Sequence, residues 1–465
     1  MPELLEQLRK AVGESNVLVG DAVHADYTHD ETLTVTPVLP VALVLPGSTG
    51  EVSEVLKVAT EYSVPVVARG SGTGLSGAAV PVPDGILVAF DRMMRIREID
   101  TENQVAVVEP GVTLEQLNAE LAPVGLVYPV SPGEQSASLG GNVGTNAGGM
   151  RAVRYGVTRH HVLGLEVVLA DGTVMRTGGK FVKCSSGYDL TQLLVGSEGT
   201  LAVTTEVTVK VQPRPSETTT VLAPFATLAE VAHAVPRLVA SGINPTILEY
   251  ADALVLSSIT RAAGLDLGIP DDVKEAALAY LVVVLEESST ARLDEDVERL
   301  GTLLVGLGAL DVYVLPPQAG AALIVARERL FFVTKAAGAD DIIDAVIPRA
   351  AIPGYLATVA ELAGAHGAFV SGCGHVGDGN VHLAVFQADP EKRKTLTREI
   401  FRTAVDAGGA ISGEHGIGTE KMSYFLEMED PAALGLMRAI KRVFDPQGIL
   451  GPDRLLGTTR TGEDT

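Results

Sequence analysis

The chain has 465 residues, 46% of them hydrophobic, which is material for more than one buried core and suggests two or three domains. Its 58 acidic residues outnumber 35 basic ones for a formal charge of −23, so the basic footprint that nucleic-acid binding needs is missing. Two widely separated cysteines, Cys184 and Cys373, give no disulfide framework and no zinc or iron–sulfur spacing, which points to a reducing cytosol.

Residues 1–10 have the apolar spacing of a short amphipathic helix, without the basic start and apolar centre of a secretory signal. No apolar run approaches the roughly 20 residues of a membrane span; a soluble cytoplasmic protein is expected. Through residues 38–110 short apolar runs alternate with helical stretches. Val41–Leu45, Val64–Ala68, Ile86–Phe90 and Val105–Val108 read as strands, and Thr49–Tyr62 and Thr113–Leu121 as helices. Ser48 or Thr49 ahead of Glu51 marks a helix start.

Directly after the strand Val64–Ala68 comes Arg69-Gly70-Ser71-Gly72-Thr73-Gly74-Leu75-Ser76-Gly77, with four glycines in eight residues. Such a loop lets backbone approach a ligand, and its N–H groups can form a concavity suited to a pyrophosphate. Arg69 and the hydroxyls add charge and donors. The spacing matches neither the dinucleotide fingerprint nor a P-loop; taken alone, the loop could be a glycine-rich surface turn. Two further glycine-rich segments follow: residues 129–149, containing Pro132, Gly140-Gly141-Asn142, Thr145-Asn146 and Gly148-Gly149, and residues 187–201, containing Gly196-Ser197-Glu198-Gly199. Between them, residues 162–175 read as two strands joined at Ala170-Asp171-Gly172, and Thr200–Val211 as another strand.

Prolines 213 and 215 interrupt the pattern, and residues 217–411 show longer helices (Leu228–Ser241, Asp271–Tyr280, Ala291–Leu307, Pro390–Ala407) between strands. Residues 371–384 contain Gly374-His375-Val376-Gly377-Asp378-Gly379-Asn380-Val381-His382, and Gly413-Glu414-His415-Gly416 follows some 30 residues on. Three of the nine histidines fall here. Two imidazoles and a carboxylate could form the inner shell of a zinc- or manganese-like ion with positions left open, the Gly-Asp-Gly turn folding both rings towards it. They could equally be satisfied polar core residues, or donors to a cofactor and substrate. Cys373 beside them reads as a small buried hydrophobe. Residues 416–455 read as mostly helical.

The three ordered glycine-rich motifs resemble those of the FAD-linked oxidases of the vanillyl-alcohol oxidase/p-cresol methylhydroxylase type, over roughly residues 38 to 455. Within that type the chain is most similar to the D-2-hydroxy-acid dehydrogenases, the group of D-lactate dehydrogenase and the glycolate oxidase FAD subunit. The resemblance implies an α+β fold: a two-subdomain FAD-binding domain (1–213, divided near 100–110), an α+β cap domain (214–415) and a helical segment (416–465) returning to the flavin. It implies that Arg69, Gly70, Ser71, Gly72, Thr73, Gly74, Ser76 and Gly77 cradle the FAD pyrophosphate. Pro132, Gly140, Gly141, Asn142, Thr145, Asn146 and Gly149 would line the isoalloxazine and ribityl portion, and Gly196, Glu198, Gly199 and Val203 the adenine side. No histidine of the first loop matches those that carry covalent flavin, so non-covalent FAD is expected. The usual Asn of the tail motif is Gly451 here, so one contact to FAD is expected to be missing.

In metal-dependent members the residues matching His375, His382 and Glu414 hold a divalent ion, and the one matching His415 is the base. Arg327 matches the arginine that pairs with the substrate carboxylate, a task suited to a guanidinium fork, although a solvated helix-face arginine would fit the sequence too. Ile342 and Ala384 stand where dicarboxylate-specific members carry lysine and asparagine, which favours D-lactate or glycolate, since an unpaired carboxylate would be costly there. The resemblance implies hydride transfer from the 2-hydroxy acid to flavin. The electrons would pass to an external acceptor: a quinone, an iron–sulfur subunit, an electron-transfer flavoprotein, a cytochrome or oxygen. A homodimer or heteromer fits. Other readings are another flavoenzyme on the same fold, such as an NADPH-using reductase or alkyl-glycerone-phosphate synthase; a non-catalytic flavin subunit; and a metal hydrolase. The last leaves the glycine-rich loops unexplained, and the His/Glu-His set argues against the first two.

Overall fold

Two small sheets and one large one, seen in a computed structural model that describes residues 1–457, frame two adjoining clefts. The last eight residues of the expected 416–465 segment lie outside the described residues. The first sheet runs Val17–Leu18, Ala42–Val44, Ile86–Ala89, Val66–Arg69; its last three strands are parallel. Parallel neighbours need a crossover, which the helix Thr49–Glu61 provides. Ser48 caps that helix by accepting the Glu51 N–H at 3.2 Å, the start the sequence marks.

The second sheet is antiparallel, in the order Ile96–Asp100, Val105–Val108, Val203–Lys210, Val162–Val168, Val174–Gly178. Its inner face packs against Leu114–Leu121 and Leu139–Thr145. The third sheet has seven antiparallel strands: Tyr313–Val314, Glu217–Phe225, Ala279–Glu287, Ile247–Asp252, Phe369–Gly374, Asn380–Phe386, Asp341–Val346. Ala279–Glu287 lies inside the sheet and is buried on both faces, which explains its unbroken apolar run. Here one expectation fails. The helix foreseen over Asp271–Tyr280 stops at Ala276, because Ala279 and Tyr280 pair with Phe225 and Pro224 and with Asp252 and Ala251. Pairing in the sheet overrides the helix-favouring composition.

Side chains alternate across strands. Ile343, Ala345, Val381 and Leu383 therefore face helices Leu228–Ala240, Ile352–Ala365 and Pro390–Asp406 in one large core. Glu249, Cys373, His382, Ala384, Ile342 and Asp344 share the opposite face, which looks towards the glycine-rich loops. After residue 415, expected to be mostly helical, the chain forms helices Met422–Met428 and Pro431–Phe444. It then returns to the first sheet, where Gly451 N–H donates to Val66 O at 2.9 Å. Buried Lys441 fixes this return through Asp445, Thr200 O (2.7 Å) and Leu450 O (2.8 Å).

Candidate functional site

The first cleft encloses about 1260 Å³ of space open to solvent. The loop after Val66–Arg69 forms one wall, and residues 137–148 and 197–204 form the other. Gly70, Ser71, Gly72, Thr73, Gly74, Ser76, Pro132, Gly140, Gly141, Asn142, Thr145, Glu198, Gly199 and Val203 all line it. A β-carbon on Gly70 would overlap Ser138 Oγ and press within 3.3 Å of the Gly141 backbone, so the first wall can carry no side chain where it meets the second.

Arg69, Gly77, Asn146, Gly149 and Gly196 are not among the lining residues. Arg69 departs most from expectation. Its guanidinium donates to His29 O (2.5 Å) and Asp26 O (2.6 Å), bracing residues 26–29. Ala68 faces the cleft, so its strand neighbour faces away. Asn146, at φ 54°, ends helix Leu139–Thr145 and accepts the Arg159 N–H at 2.9 Å. Gly196 N–H donates to Val143 O at 2.8 Å, and Gly77 and Gly149 hold positive φ.

The loop carrying Glu414 and His415 is built onto this cleft. Ser76 Oγ donates to His415 O at 3.0 Å, and Ser76 O accepts from Thr419 N and Glu420 N. Glu198, half-buried and at φ 52°, takes the N–H groups of Ile417 and Gly418 at 2.6 and 2.7 Å. Burial nevertheless raises its pKa above the usual value. Glu198 therefore joins the cofactor wall to the histidine loop, beyond the adenine-side role expected of it.

The turn between Phe369–Gly374 and Asn380–Phe386 brings two rings to one carboxylate. His375 Nε2 and His382 Nε2 each lie 3.2 Å from Glu414 Oε1. On its other side His375 Nδ1 is held by Glu249 Oε1. Burial alone would depress the His375 pKa, but Glu249 and Glu414 raise it well above its ordinary value. Glu414 is held far below the usual carboxylate range: burial opposes this, and the imidazoles outweigh it. His415 stacks on His382 with ring centres 5.2 Å apart; burial lowers its pKa to about 4, with Asp344 offsetting only part. At that value the imidazole is neutral near pH 7, the form a general base must have, and a weaker base than a free histidine.

Asp344, fully buried, organises the loop. Its Oδ2 accepts from Ser412 Oγ (2.8 Å), Gly413 N (3.0 Å), Glu414 N (3.0 Å) and His415 N (2.9 Å), and its Oδ1 from Asn380 Nδ2 (2.6 Å). Two groups of donor atoms lie close enough for one ion: Asp344, His382, His415 and His375, His382, Glu414. Asp344 already spends its lone pairs on five donors, so the second group, whose three atoms converge, is the better ligand set.

A second cleft, of about 720 Å³, shares Leu75, Pro132, Glu414 and His415 with the first. Arg327 ends helix Pro317–Glu328 in its wall, with Nη2 2.9 Å from Glu249 Oε2 and a buried Nε that has no partner. It is not a solvated helix-face residue. Cys373 also lines this cleft, and burial pushes its thiol up to about 11, which suits an inert wall.

Residues 40–178 match the family model for an FAD binding domain, and residues 214–455 match that for the C-terminal domain of FAD linked oxidases. The chain is 54% identical over 459 residues to an FAD-linked oxidoreductase of Mycobacterium tuberculosis, covering 99% of this chain and 100% of that protein. It is 35% identical to a D-lactate dehydrogenase of Anaerostipes hadrus (98% and 97% covered) and 36% identical to the glycolate oxidase subunit GlcD of Bacillus subtilis (97% and 96%). The chain belongs to the FAD-linked oxidases. Its fold is that of p-cresol methylhydroxylase, with a TM-score of 0.81 at 19% identity over 98% of this chain and 97% of that one.

The cleft of this FAD-linked oxidase fits its cofactor. It is walled by glycine-rich segments and keeps the buried Asn142 Nδ2 without a protein partner. His415 is the one histidine among its described lining residues, and none lies in the loop 69–77. The ligand trio offers two imidazole nitrogens and a carboxylate, a donor set suited to zinc or manganese.

Two functional residues escape the motif reading, Glu249 and Asp344. Each leaves one local signal, an acidic residue in the middle of an apolar strand (Ile247-Leu248-Glu249-Tyr250; Ile342-Ile343-Asp344-Ala345).

A third cleft, behind Leu75 and Ile342, is lined by Asp341, Arg393, Glu420 and Lys421. Burial, with Asp341 and Asp30 nearby, raises the Glu420 pKa to about 7 although Lys421 opposes it. A carboxyl raised on folding weakens the fold once pH exceeds its unfolded value, and the cost grows until pH passes the folded value. Glu420→Gln is therefore expected to raise the melting temperature by about 2–4 °C at pH 8 and to change it little at pH 4. Scanning calorimetry at both pH values reads the difference; equal shifts would contradict the assignment.

Proposed function

We propose that the protein oxidises a monocarboxylic D-2-hydroxy acid, of the class of D-lactate and glycolate, to the 2-oxo acid. The convergence of Arg327, the His375–His382–Glu414 trio and His415 on a cleft that opens into the cofactor cleft carries this reading. The D-lactate dehydrogenase and glycolate oxidase subunit among its relatives support it. Bound without a covalent link, FAD supplies the acceptor for the hydrogen and electron pair of C2, and a divalent ion at the trio supplies Lewis acidity towards the hydroxyl oxygen.

The chain's own residues do the rest. Arg327 pairs with the substrate carboxylate through its free donors, while Glu249 holds the guanidinium and turns His375 so that Nε2 faces the ion site. His415 takes the hydroxyl proton as the C2 hydrogen departs. Ile342 and Ala384 leave a second carboxylate without a partner, which disfavours dicarboxylic acids. Electrons then leave to an external quinone, iron–sulfur subunit, electron-transfer flavoprotein, cytochrome or oxygen, either from a homodimer or within a heteromer. None of the described helices is long and apolar enough to cross a membrane. The free Cys184 and Cys373 suit a reducing cytoplasm.

The test is anaerobic absorbance of FAD-loaded protein on addition of D-lactate and glycolate. The flavin band should bleach with formation of the 2-oxo acid. Chelation should abolish the bleaching, and zinc or manganese should restore it. A flavin that no D-2-hydroxy acid reduces, with or without metal, would sink the proposal.

A further inference from the structure

The register of three strands grades the second cleft from polar to apolar. His382 pairs with Cys373 on one side and Asp344 on the other, making a row that includes an ion ligand. One step along the same face, Ala384 pairs with Ser371 and Ile342. Two residues of strand separate the rows by about 6.7 Å. The second row offers a substrate no side-chain donor, since Ser371 Oγ already donates its proton to Asp252 Oδ2 at 2.8 Å. Val255, Leu330 and Phe331 extend the apolar wall, and Thr334 and Glu328 also line the cleft. Apart from Arg327 and the histidines, no cationic side chain is among the described lining residues. Ile342 and Leu75 end the compartment, because both also line the charged third cleft behind them.

A hydroxy acid held at its carboxylate and hydroxyl has only its side chain left to occupy the second row. The methyl of lactate stops short of it, and glycolate has nothing to offer. Four carbon–carbon bonds of about 1.5 Å each, zigzagged, cover most of the distance. Resting on the site reading above, we propose that the preferred substrate carries an aliphatic side chain of three to four carbons, straight or branched, that fills the space between Ala384 and Ile342. A longer chain meets the Leu75–Ile342 partition. An ω-carboxylate would sit against apolar walls with no cation to meet it.

The experiment measures kcat/KM for anaerobic flavin reduction by a graded series: glycolate, D-lactate, D-2-hydroxybutyrate, D-2-hydroxy-4-methylpentanoate, D-2-hydroxyhexanoate and D-2-hydroxyglutarate. Each carbon added up to the six-carbon acids should raise kcat/KM about fourfold, or roughly 60-fold from lactate to hydroxyhexanoate. Ala384→Leu fills the row and should lower the hydroxyhexanoate-to-lactate ratio at least tenfold. Ile342→Ala, which only removes bulk, should move the optimum to acids one or two carbons longer. Lactate or glycolate matching the six-carbon acids would overturn the inference while leaving the site reading intact, and so would hydroxyglutarate outrunning them. Failure of the whole series to reduce the flavin would instead overturn the site reading.

Discussion

His415→Asn is expected to slow flavin reduction by D-2-hydroxy acids about 10²–10⁴-fold, the usual contribution of a positioned acid–base group, while FAD content stays at that of the parent. The loop should survive the change. Its fold is held by backbone groups, with His415 N–H on Asp344 Oδ2 at 2.9 Å and His415 O on Ser76 Oγ at 3.0 Å, and asparagine keeps both. What disappears is a buried, neutral ring stacked on His382 and open to both clefts. Asparagine cannot accept the hydroxyl proton near pH 7. Apparent substrate affinity should change little, because Arg327 and the ion trio are untouched. Stopped-flow reduction of equally loaded parent and variant measures this. Rates within about threefold of each other would remove His415 from the proton-transfer role.

How much of this site the sequence discloses depends on whether the signal is local. The glycine-rich loop after Val66–Arg69 and its two glycine-rich partners are contiguous runs, and a wall close enough for Ser138 Oγ to overlap a β-carbon at Gly70 leaves glycine in the sequence. His375, His382, Glu414 and His415 are legible because glycines flank them and chemistry restricts the residue types. Glu249 and Asp344 are not legible as site residues. Their roles arise from strands paired across long stretches of chain, Ala251 with Cys373 and Asp344 with His382, and no short window contains either pairing. Arg69 misleads for a related reason. Its place beside the loop suggests an anion ligand, but strand alternation turns the side chain to the other face, onto the carbonyls of Asp26 and His29. The end of the helix starting at Asp271 is hidden too, because only the neighbouring strands show that Ala279 begins an inner strand of the sheet.

Asp344→Ala is expected to cost about 3–5 kcal/mol of stability, in line with removing one member of a buried charged network. It should also weaken metal binding by the trio. Five donors converge on this carboxylate, three of them consecutive backbone N–H groups of the loop that carries Glu414. With alanine they face a cavity from which water is largely excluded, and each buried donor left unmade costs of the order of 1–3 kcal/mol unless the loop moves. If it moves, Glu414 leaves its position 3.2 Å from both imidazoles. Asp344→Asn should lose less, since one amide oxygen still accepts and Asn380 can turn its own unpartnered oxygen towards the new NH₂. Although burial opposes it, the neighbouring His415 and the Lys421 ammonium, with the bound N–H groups, hold the Asp344 pKa well below its ordinary value. A depressed folded value means that its stabilisation is present above the unfolded pKa of about 4 and is lost as pH falls through the folded one. The gap between parent and Asp344→Ala should therefore be full at pH 7 and shrink only in strong acid. Urea unfolding at pH 7 and pH 3, with zinc competition titrations on the folded variants, measures both effects. An alanine variant as stable as the parent at pH 7, binding zinc as tightly, would show that the loop is held by something other than Asp344.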